Sequence, residues 1–442
     1  MSDSRHPVNE MLPMGQLFAY GLQHVLAMYA GAVAVPLIIA NALGLSKEQL
    51  IYLINADLFT CGIATIIQTI GFWKMGVRIP LIQGVTFAAV TPMIIIGKAH
   101  GITAIYGSIL VAGAMTFFAA PYFSRLLRFF PPVVTGTIIT TIGVTLMPVA
   151  VNWAGGGVGA KDFASLSNVS LAFFVLILVL AFNRYLKGFW SNIAVLLGLI
   201  AGTLISIPFD KVDFTAVVQA DWLGITTPFH FGMPVFDIAS IVSMALVMLV
   251  VMVETTGDCI AVGEIIDKEI TQDDLARCLR ADGFSTVLGG ILNSFPYTAF
   301  AQNVGLVGLT KVKSRFVVAT AGVILVVLGL LPKMAAVVSV IPNAVLGGAG
   351  IAMFGMVAAS GIKTLSKVDF DGTYNILVVG ISIGIGMITL AAPDFYANFP
   401  EWAQVMLHSG ITAASLTAII LNVVLNGVSQ PAQAARAKSG SN

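Results

Sequence analysis

The feature that most constrains this chain is the length of its uncharged stretches. Residues 81–97, 129–160 and 283–310 contain no Asp, Glu, Lys, Arg or His. Each approaches or exceeds the roughly 20 residues that an α-helix needs to cross a bilayer core. Over the whole chain only 10% of residues are charged and 57% are hydrophobic, against roughly 25% charged in an ordinary soluble domain. A water-soluble globule of 442 residues could not cover its surface with so few charges. The chain is therefore expected to be an all-α membrane protein.

Apolar runs separated by charged or Pro/Gly-rich turns place spans near 16–41, 49–72, 79–97, 102–120, 132–152, 166–183, 189–207, 238–266, 275–292, 295–311, 315–332, 340–360, 372–392 and 409–426. That makes fourteen. Lys and Arg concentrate in cytoplasmic loops of membrane proteins. With the N-terminus inside, 17 of the 22 basic residues fall on the cytoplasmic side, among them Arg5, Arg125, Arg128, Arg436 and Lys438. The exceptions are Lys47, Lys98, Lys161, Lys211 and Lys333, one in each of five external loops. This asymmetry predicts two cytoplasmic termini: residues 1–15 and the tail 427–442. The first apolar run is longer than a signal-peptide core, so no cleaved targeting segment is expected.

The longest stretch outside the spans, 208–237, divides a first set of seven (16–207) from a second (238–426). An odd-numbered unit repeated once must insert with opposite topology, as inverted-repeat transporters do. Faint echoes link the halves: Pro131 and Pro132 open the fifth span as Pro342 opens the twelfth. Cys61, Cys259 and Cys278 lie in or beside apolar runs without metal-ligand spacing, so neither a disulfide framework nor a zinc site is expected. The net charge of +1 says nothing about a nucleic-acid partner, and none is expected.

Two spans are too polar and too interrupted to be plain helices. One carries Pro80, Gln83, Gly84, Thr86 and Pro92; the other Asn293, Pro296, Gln302, Asn303, Gly305 and Gly308. A backbone group freed by Pro inside a membrane must face protein or a water-lined cavity. Interrupted segments at matching places in two halves point to a midplane binding site.

Ionisable residues within spans are costly and are functional candidates by default. Glu254 and Asp258 lie one helical turn apart on one face, below the uncharged run 241–253. Burial makes a carboxyl group reluctant to ionise, so that it can exchange a proton near neutral pH. Asp258 reads equally as a structural carboxylate. His24 is a packing residue or a proton carrier, Asp282 a helix N-cap or part of an ionic latch near Arg280, and Asp57 a structural helix-to-helix bond.

At these residues the chain resembles the nucleobase-ascorbate transporter family. Its signature, Gln/Ser/Pro-Asn-x-Gly-x-x-x-x-Thr-Arg/Lys/Gly, is met at every fixed position by Gln302, Asn303, Gly305, Thr310 and Lys311. Gln23, His24, Glu254 and Asp282 also match, and the likeness runs from about Gln16 to Val428. The resemblance implies seven plus seven inverted spans, with a core domain of spans one to four and eight to eleven and a gate domain of the rest. It implies short extended pieces followed by half-helices in spans three and ten. It further implies a substrate held by Glu254 and Gln302, with backbone groups near Phe87 and Ala301 completing the pocket and Phe87 against the ring.

Xanthine and uric acid present ring N–H donors beside carbonyl acceptors. A carboxylate suits the donor edge and an amide the mixed one. The expected function is proton-coupled uptake of a purine base, with no cofactor beyond the proton, in a homodimer in the bacterial inner membrane. His24, Asp258 and Asp282 would join Glu254 in the proton network. Thr86 resembles a selectivity position that leans towards uric acid, while Asp258 leaves the choice between the two purines open. The alternatives are an anion exchanger of the same architecture, for which no deep Lys or Arg is found, and a membrane-embedded enzyme, for which no metal or nucleophile motif is found.

Overall fold

The computed structural model describes residues 6–123, 129–371 and 373–427. Arg5, Arg125, Arg128, Arg436 and Lys438, counted in the charge asymmetry, lie outside the described residues, as does most of the C-terminal tail.

Fourteen helices of ten or more residues run through the described residues. The first half holds α1 (Met14–Leu43), α2 (Lys47–Ile70), α3 (Val90–His100), α4 (Ile102–Ala119), α5 (Pro132–Ala154), α6 (Leu166–Tyr185) and α7 (Ala194–Ser206). The second holds α8 (Ile238–Ile265), α9 (Gln272–Leu292), α10 (Ala301–Thr310), α11 (Arg315–Gly329), α12 (Asn343–Leu365), α13 (Asn375–Ala391) and α14 (Gly410–Asn426). Seven of them are long and apolar enough to cross a membrane, and α11 with its continuation would make eight.

Three features depart from the sequence expectation. The eleventh span, expected at 315–332, ends as a helix at Gly329; the chain then turns by 82° into a short helix, Pro332–Ser339. Pro at the first position of the new helix has no N–H to lose, so it starts a helix as readily as it ends one. A further short helix, Glu401–Leu407, lies before α14, and another, Thr215–Gln219, lies in the 208–237 segment. Both are too short for periodicity to reveal.

Helix pairing is set by small residues. Helix α2 packs on α11 and α4 on α9. At the first crossing a Cβ on Gly62 would sit 2.5 Å from the carbonyl oxygen of Gly322; at the second, one on Gly113 would sit 2.9 Å from that of Gly283. Lipid offers no hydrophobic drive between helices, so close backbone approach at such glycines supplies the packing. Helix α5 packs along α12, α6 on α7, and α13 on α14.

Between the two sets of helices lies the only sheet among the described residues: β1 (Gln83–Val85) paired antiparallel with β2 (Tyr297–Ala299). Gln83 faces Ala299, Gly84 faces Thr298 and Val85 faces Tyr297. Two further bonds extend the ladder, from Thr86 N–H to Pro296 O (3.0 Å) and from Phe300 N–H to Ile82 O (3.1 Å). Each strand leads into a half-length helix, β1 into α3 and β2 into α10.

Candidate substrate site

The two strands sit where neighbouring helices can satisfy their outer edges. Helix α2 holds β1: Gln83 N–H donates to Thr65 Oγ1 (3.0 Å) and Gln83 O accepts from Cys61 Sγ (2.7 Å). Three helices hold β2. Tyr297 N–H donates to Thr286 Oγ1 on α9 (3.1 Å), and Ala299 N–H donates to Thr255 Oγ1 on α8 (3.2 Å). On α2, Asp57 Oδ1 accepts from the Tyr297 hydroxyl (2.9 Å) and from Ser294 Oγ (3.2 Å). Asp57 therefore makes a structural bond, but to β2 and the loop before it rather than from helix to helix as expected. In hydrocarbon an unpaired backbone group costs several kcal/mol, so short polar side chains at these places permit the break.

The half-helices begin differently. Thr86 Oγ1 accepts from Ala88 N–H (3.2 Å) and caps the 3-10 turn Phe87–Ala89 that opens α3. No side chain caps α10, whose N-cap is Phe300. Its first residue, Ala301, is exposed. The Phe300 ring fills the notch left by two glycines: a Cβ on Gly31 would lie 2.8 Å from it, and one on Gly84 would collide with it.

Asn303, in the first turn of α10, is tied to α1. Its Nδ2 donates to His24 O (2.9 Å) and lies 3.1 Å from His24 Nδ1. The amide nitrogen is a donor, so Nδ1 accepts and the proton of the neutral ring is assigned to Nε2. His24 is buried, and its ring serves as a packing and positioning partner of Asn303.

Three carboxyl groups gather beside β2. Glu254 and Asp258 are on α8, and Asp258 lies within electrostatic reach of both Glu254 and Asp282. Asp282 is fully buried in the middle of α9, next to Thr255 and Gln83. It is neither an N-cap nor half of an ionic latch. Thr271 caps α9 in a reciprocal pair with Asp274, and Asp282 forms no ion pair among the described residues. The misreading came from placing the start of α9 at residue 275, when a Thr-x-x-Asp capping box begins it at Thr271.

Glu254, Phe87 and Ala301 all keep accessible surface, whereas Thr86, Asn303, His24 and Asp282 are buried. The first three come from α8, the turn before α3 and the start of α10, all packed around the strand pair. Phe87 also meets Phe354 of α12 edge-on, with ring centroids 5.9 Å apart. Gln302 is the second residue of α10; its side chain lies outside the described residues. Sequence reasoning assigned no role to Gln83, whose amide is buried beside Asp282, or to Thr255, which joins α8 to β2. Both stand beside residues already singled out, and a hydroxyl next to an intramembrane carboxylate was the available signal.

The arrangement offers a carboxyl group, an aromatic face and the uncapped start of a helix around one point. It suits a flat, polar ligand with hydrogen-bond donors on its edge. Comparison with known proteins narrows this. The profile of the Permease family named Xan_ur_permease matches residues 15–395. The uric acid transporter UacT of Escherichia coli is 48% identical over 424 residues, covering 95% of this chain and 88% of that protein. The nucleobase transporter PlUacP of Paenibacillus larvae is 49% identical over 92% of this chain and 94% of its own. The xanthine permease of Bacillus subtilis is 46% identical over 93% and 94%. Among solved structures, the transmembrane domain of the cyanobacterial bicarbonate transporter BicA superposes with a TM-score of 0.61 at 14% identity, covering 94% of this chain and 100% of that one. Murine Slc26a9, an anion transporter in an inward-facing state, gives 0.62 at 10%, covering 95% and 70%. At such identities the two structures speak for the fold alone. With a permease profile over most of its length and relatives near half-identical almost from end to end, this chain belongs to the nucleobase-ascorbate transporter family.

Proposed function

We propose that the chain carries uric acid or xanthine into the cell by proton-coupled alternating access. The observation that carries this reading is the meeting of Glu254, Phe87 and the uncapped start of α10 around the paired strands. A purine lying against Phe87 would donate a ring N–H to the carbonyl oxygen of the Glu254 carboxyl group and accept from its hydroxyl. Gln302, in the first turn of α10, would meet the mixed edge. A protonated Glu254 would be both the coupling device and the condition for binding, with Asp258 and Asp282 sharing its field. Thr86 would bias the choice of purine from beneath Phe87, and Asn303, fixed by His24, would hold the first turn of α10 in place. The names of these relatives, each 46–49% identical to this chain, point to the same substrates.

Fourteen spans in two inverted sevens are the architecture we propose. The helix contacts support it: exchanging each helix for the one seven places along turns the α2–α11 pair into the α9–α4 pair, and both cross at a pair of glycines. The core would be α1–α4 with α8–α11, and the gate α5–α7 with α12–α14, meeting where Phe87 touches Phe354. Both termini would face the cytoplasm of a bacterial cell, on the inner membrane. The assembly would be a homodimer built through the gate, as the family resemblance implies.

Uptake of radiolabelled urate and xanthine, each against a panel of unlabelled purines and pyrimidines at external pH 5.5 and 8, tests the proposal. Active uptake is expected to rise at the lower pH, and Glu254→Gln, which keeps a neutral hydrogen-bonding head but cannot take up the proton, to reduce it about tenfold, or roughly 1.4 kcal/mol. Uptake that survives Glu254→Gln with the same pH dependence would remove the coupling assignment. Uptake driven by chloride or bicarbonate without purine competition would replace the substrate.

A further inference from the structure

Away from the strand pair, at the end of the helix bundle that carries the N-terminal segment, a cleft of about 410 Å³ is lined by Arg78, Lys268, Arg277 and Arg315, with Asp273 and Asp274 as the acidic members. The transport site uses none of them. The cleft is many times the roughly 30 Å³ that one water occupies in the liquid.

Its walls are built and fastened. The loop carrying Arg78 is pinned by Gln68: Val77 N–H donates to Gln68 Oε1 (3.2 Å) and Arg78 N–H to Gln68 O (3.0 Å). Gly76 N–H donates to Arg277 O (3.0 Å), which docks the same loop on α9. Arg78 is held in the left-handed region at φ 59°, a conformation that persists only when surrounding contacts over-determine it. The opposite wall is the N-terminal segment. Val8 is buried among Val77, Cys259, Val262 and Cys278, and Arg315 Nε donates to Asn9 Oδ1 (2.9 Å).

The charges do not cancel. Asp274 is engaged by the Thr271 N–H (3.2 Å) and hydroxyl (3.0 Å), and Asp273 by Arg277 Nε (2.8 Å). Arg315 spends its guanidinium on Asn9 and on the carbonyls of Thr69 and Ile70. The side chains of Arg78 and Lys268 have no hydrogen-bond or ion-pair partner among the described residues. Counted formally, four cations face two carboxylates, an excess of two positive charges. Arginine presents a planar fork of donors that matches phosphate oxygens, and lysine a mobile point charge.

We propose that this cleft binds a phosphate dianion, supplied either by a soluble phosphate monoester or by the headgroup of an anionic lipid. Its lining comes from the N-terminal segment, the loop after α2, the loop after α8 and the starts of α9 and α11. None comes from α5–α7 or α12–α14. The ligand would therefore stiffen one set of helices without obstructing the transport site, and would not compete with the transported base.

The test uses full-length protein in nanodiscs. In zwitterionic phosphatidylcholine discs, inorganic phosphate is titrated calorimetrically and by thermal melting, with chloride as control; in discs doped with phosphatidic acid, lipid retention is read by native mass spectrometry. Phosphate is expected to raise the melting temperature, Arg78→Gln and Lys268→Gln each to weaken its binding at least tenfold, and Lys268→Arg to preserve it. Each variant should elute as wild type on size exclusion and keep urate uptake in phosphate-free buffer. Phosphatidic acid retained by the wild type and lost by both Gln variants, with phosphate silent, assigns the lipid as the source. Phosphate and lipid binding that fail to separate wild type from both Gln variants would overturn the proposal.

Discussion

The two interrupted spans carry the same plan, a strand of three residues leading into a half-helix, yet they are held in opposite ways. The first fastens itself largely from nearby sequence: Thr65 on the preceding helix accepts from Gln83, and Thr86 caps its own turn. The second is held by Thr286 on the preceding helix α9 and, from a distance, by Asp57 on α2, Thr255 on α8 and His24 on α1, and no side chain caps its helix. A segment whose supports lie on four other helices registers any shift among them. A segment that supplies its own cap does not. The asymmetry makes α10 the responsive half of the site and the turn before α3 the fixed half.

Substitutions can break or sharpen that contrast. The largest effect is expected where both halves share one support. Gly84→Val places a side chain on the Phe300 ring and 3.1 Å or less from Met28 Cε, which should cost ~3 kcal/mol, the upper part of the usual range for overpacking, and lower the melting temperature of both halves together. Next comes Thr255→Val, nearly isosteric, which leaves the Ala299 N–H buried without an acceptor. A loss of ~1–3 kcal/mol is expected from the unmet bond, with uptake falling more than stability because the responsive half is the one disturbed. The smallest effect is Thr86→Ala, which removes a cap worth ~1 kcal/mol; Thr86→Ser should restore the melting temperature. Equal losses of uptake per degree of melting temperature in Thr255→Val and Thr86→Ala would erase the distinction between the halves.

The breaks themselves were legible because Pro80, Pro92 and Pro296 cannot sit quietly in plain spans, and Gly84 and the amides nearby suit a chain that leaves the helix. The family signature named the half-helix at Gln302 and Asn303. The pairing of β1 with β2 was not legible. Three-residue strands have no measurable alternation, and their pairing joins segments more than 200 residues apart in sequence, as does the bond between Asp57 and Tyr297. Asp282 was misplaced for a related reason. A charged first turn, Gln272 to Arg277, reads as loop by hydropathy although its capping box starts the helix. The 82° turn after Gly329 likewise follows from packing on α2, which composition does not report.

The strand pair also sets a clock on biogenesis. Val85 leaves the ribosome 212 residues before its partner Tyr297, and at about 5–20 residues per second the gap lasts roughly 10–40 s. Throughout that interval β1 has emerged with no partner strand, and its edge groups need water, lipid headgroups or an insertase to meet them. The segment that forms β1 and α3 therefore cannot complete its strand pairing when it is made. The nascent first half should be the form most exposed to quality-control proteolysis, and a stop codon placed between residues 85 and 297 should give a product that is cleared rather than a stable half-transporter.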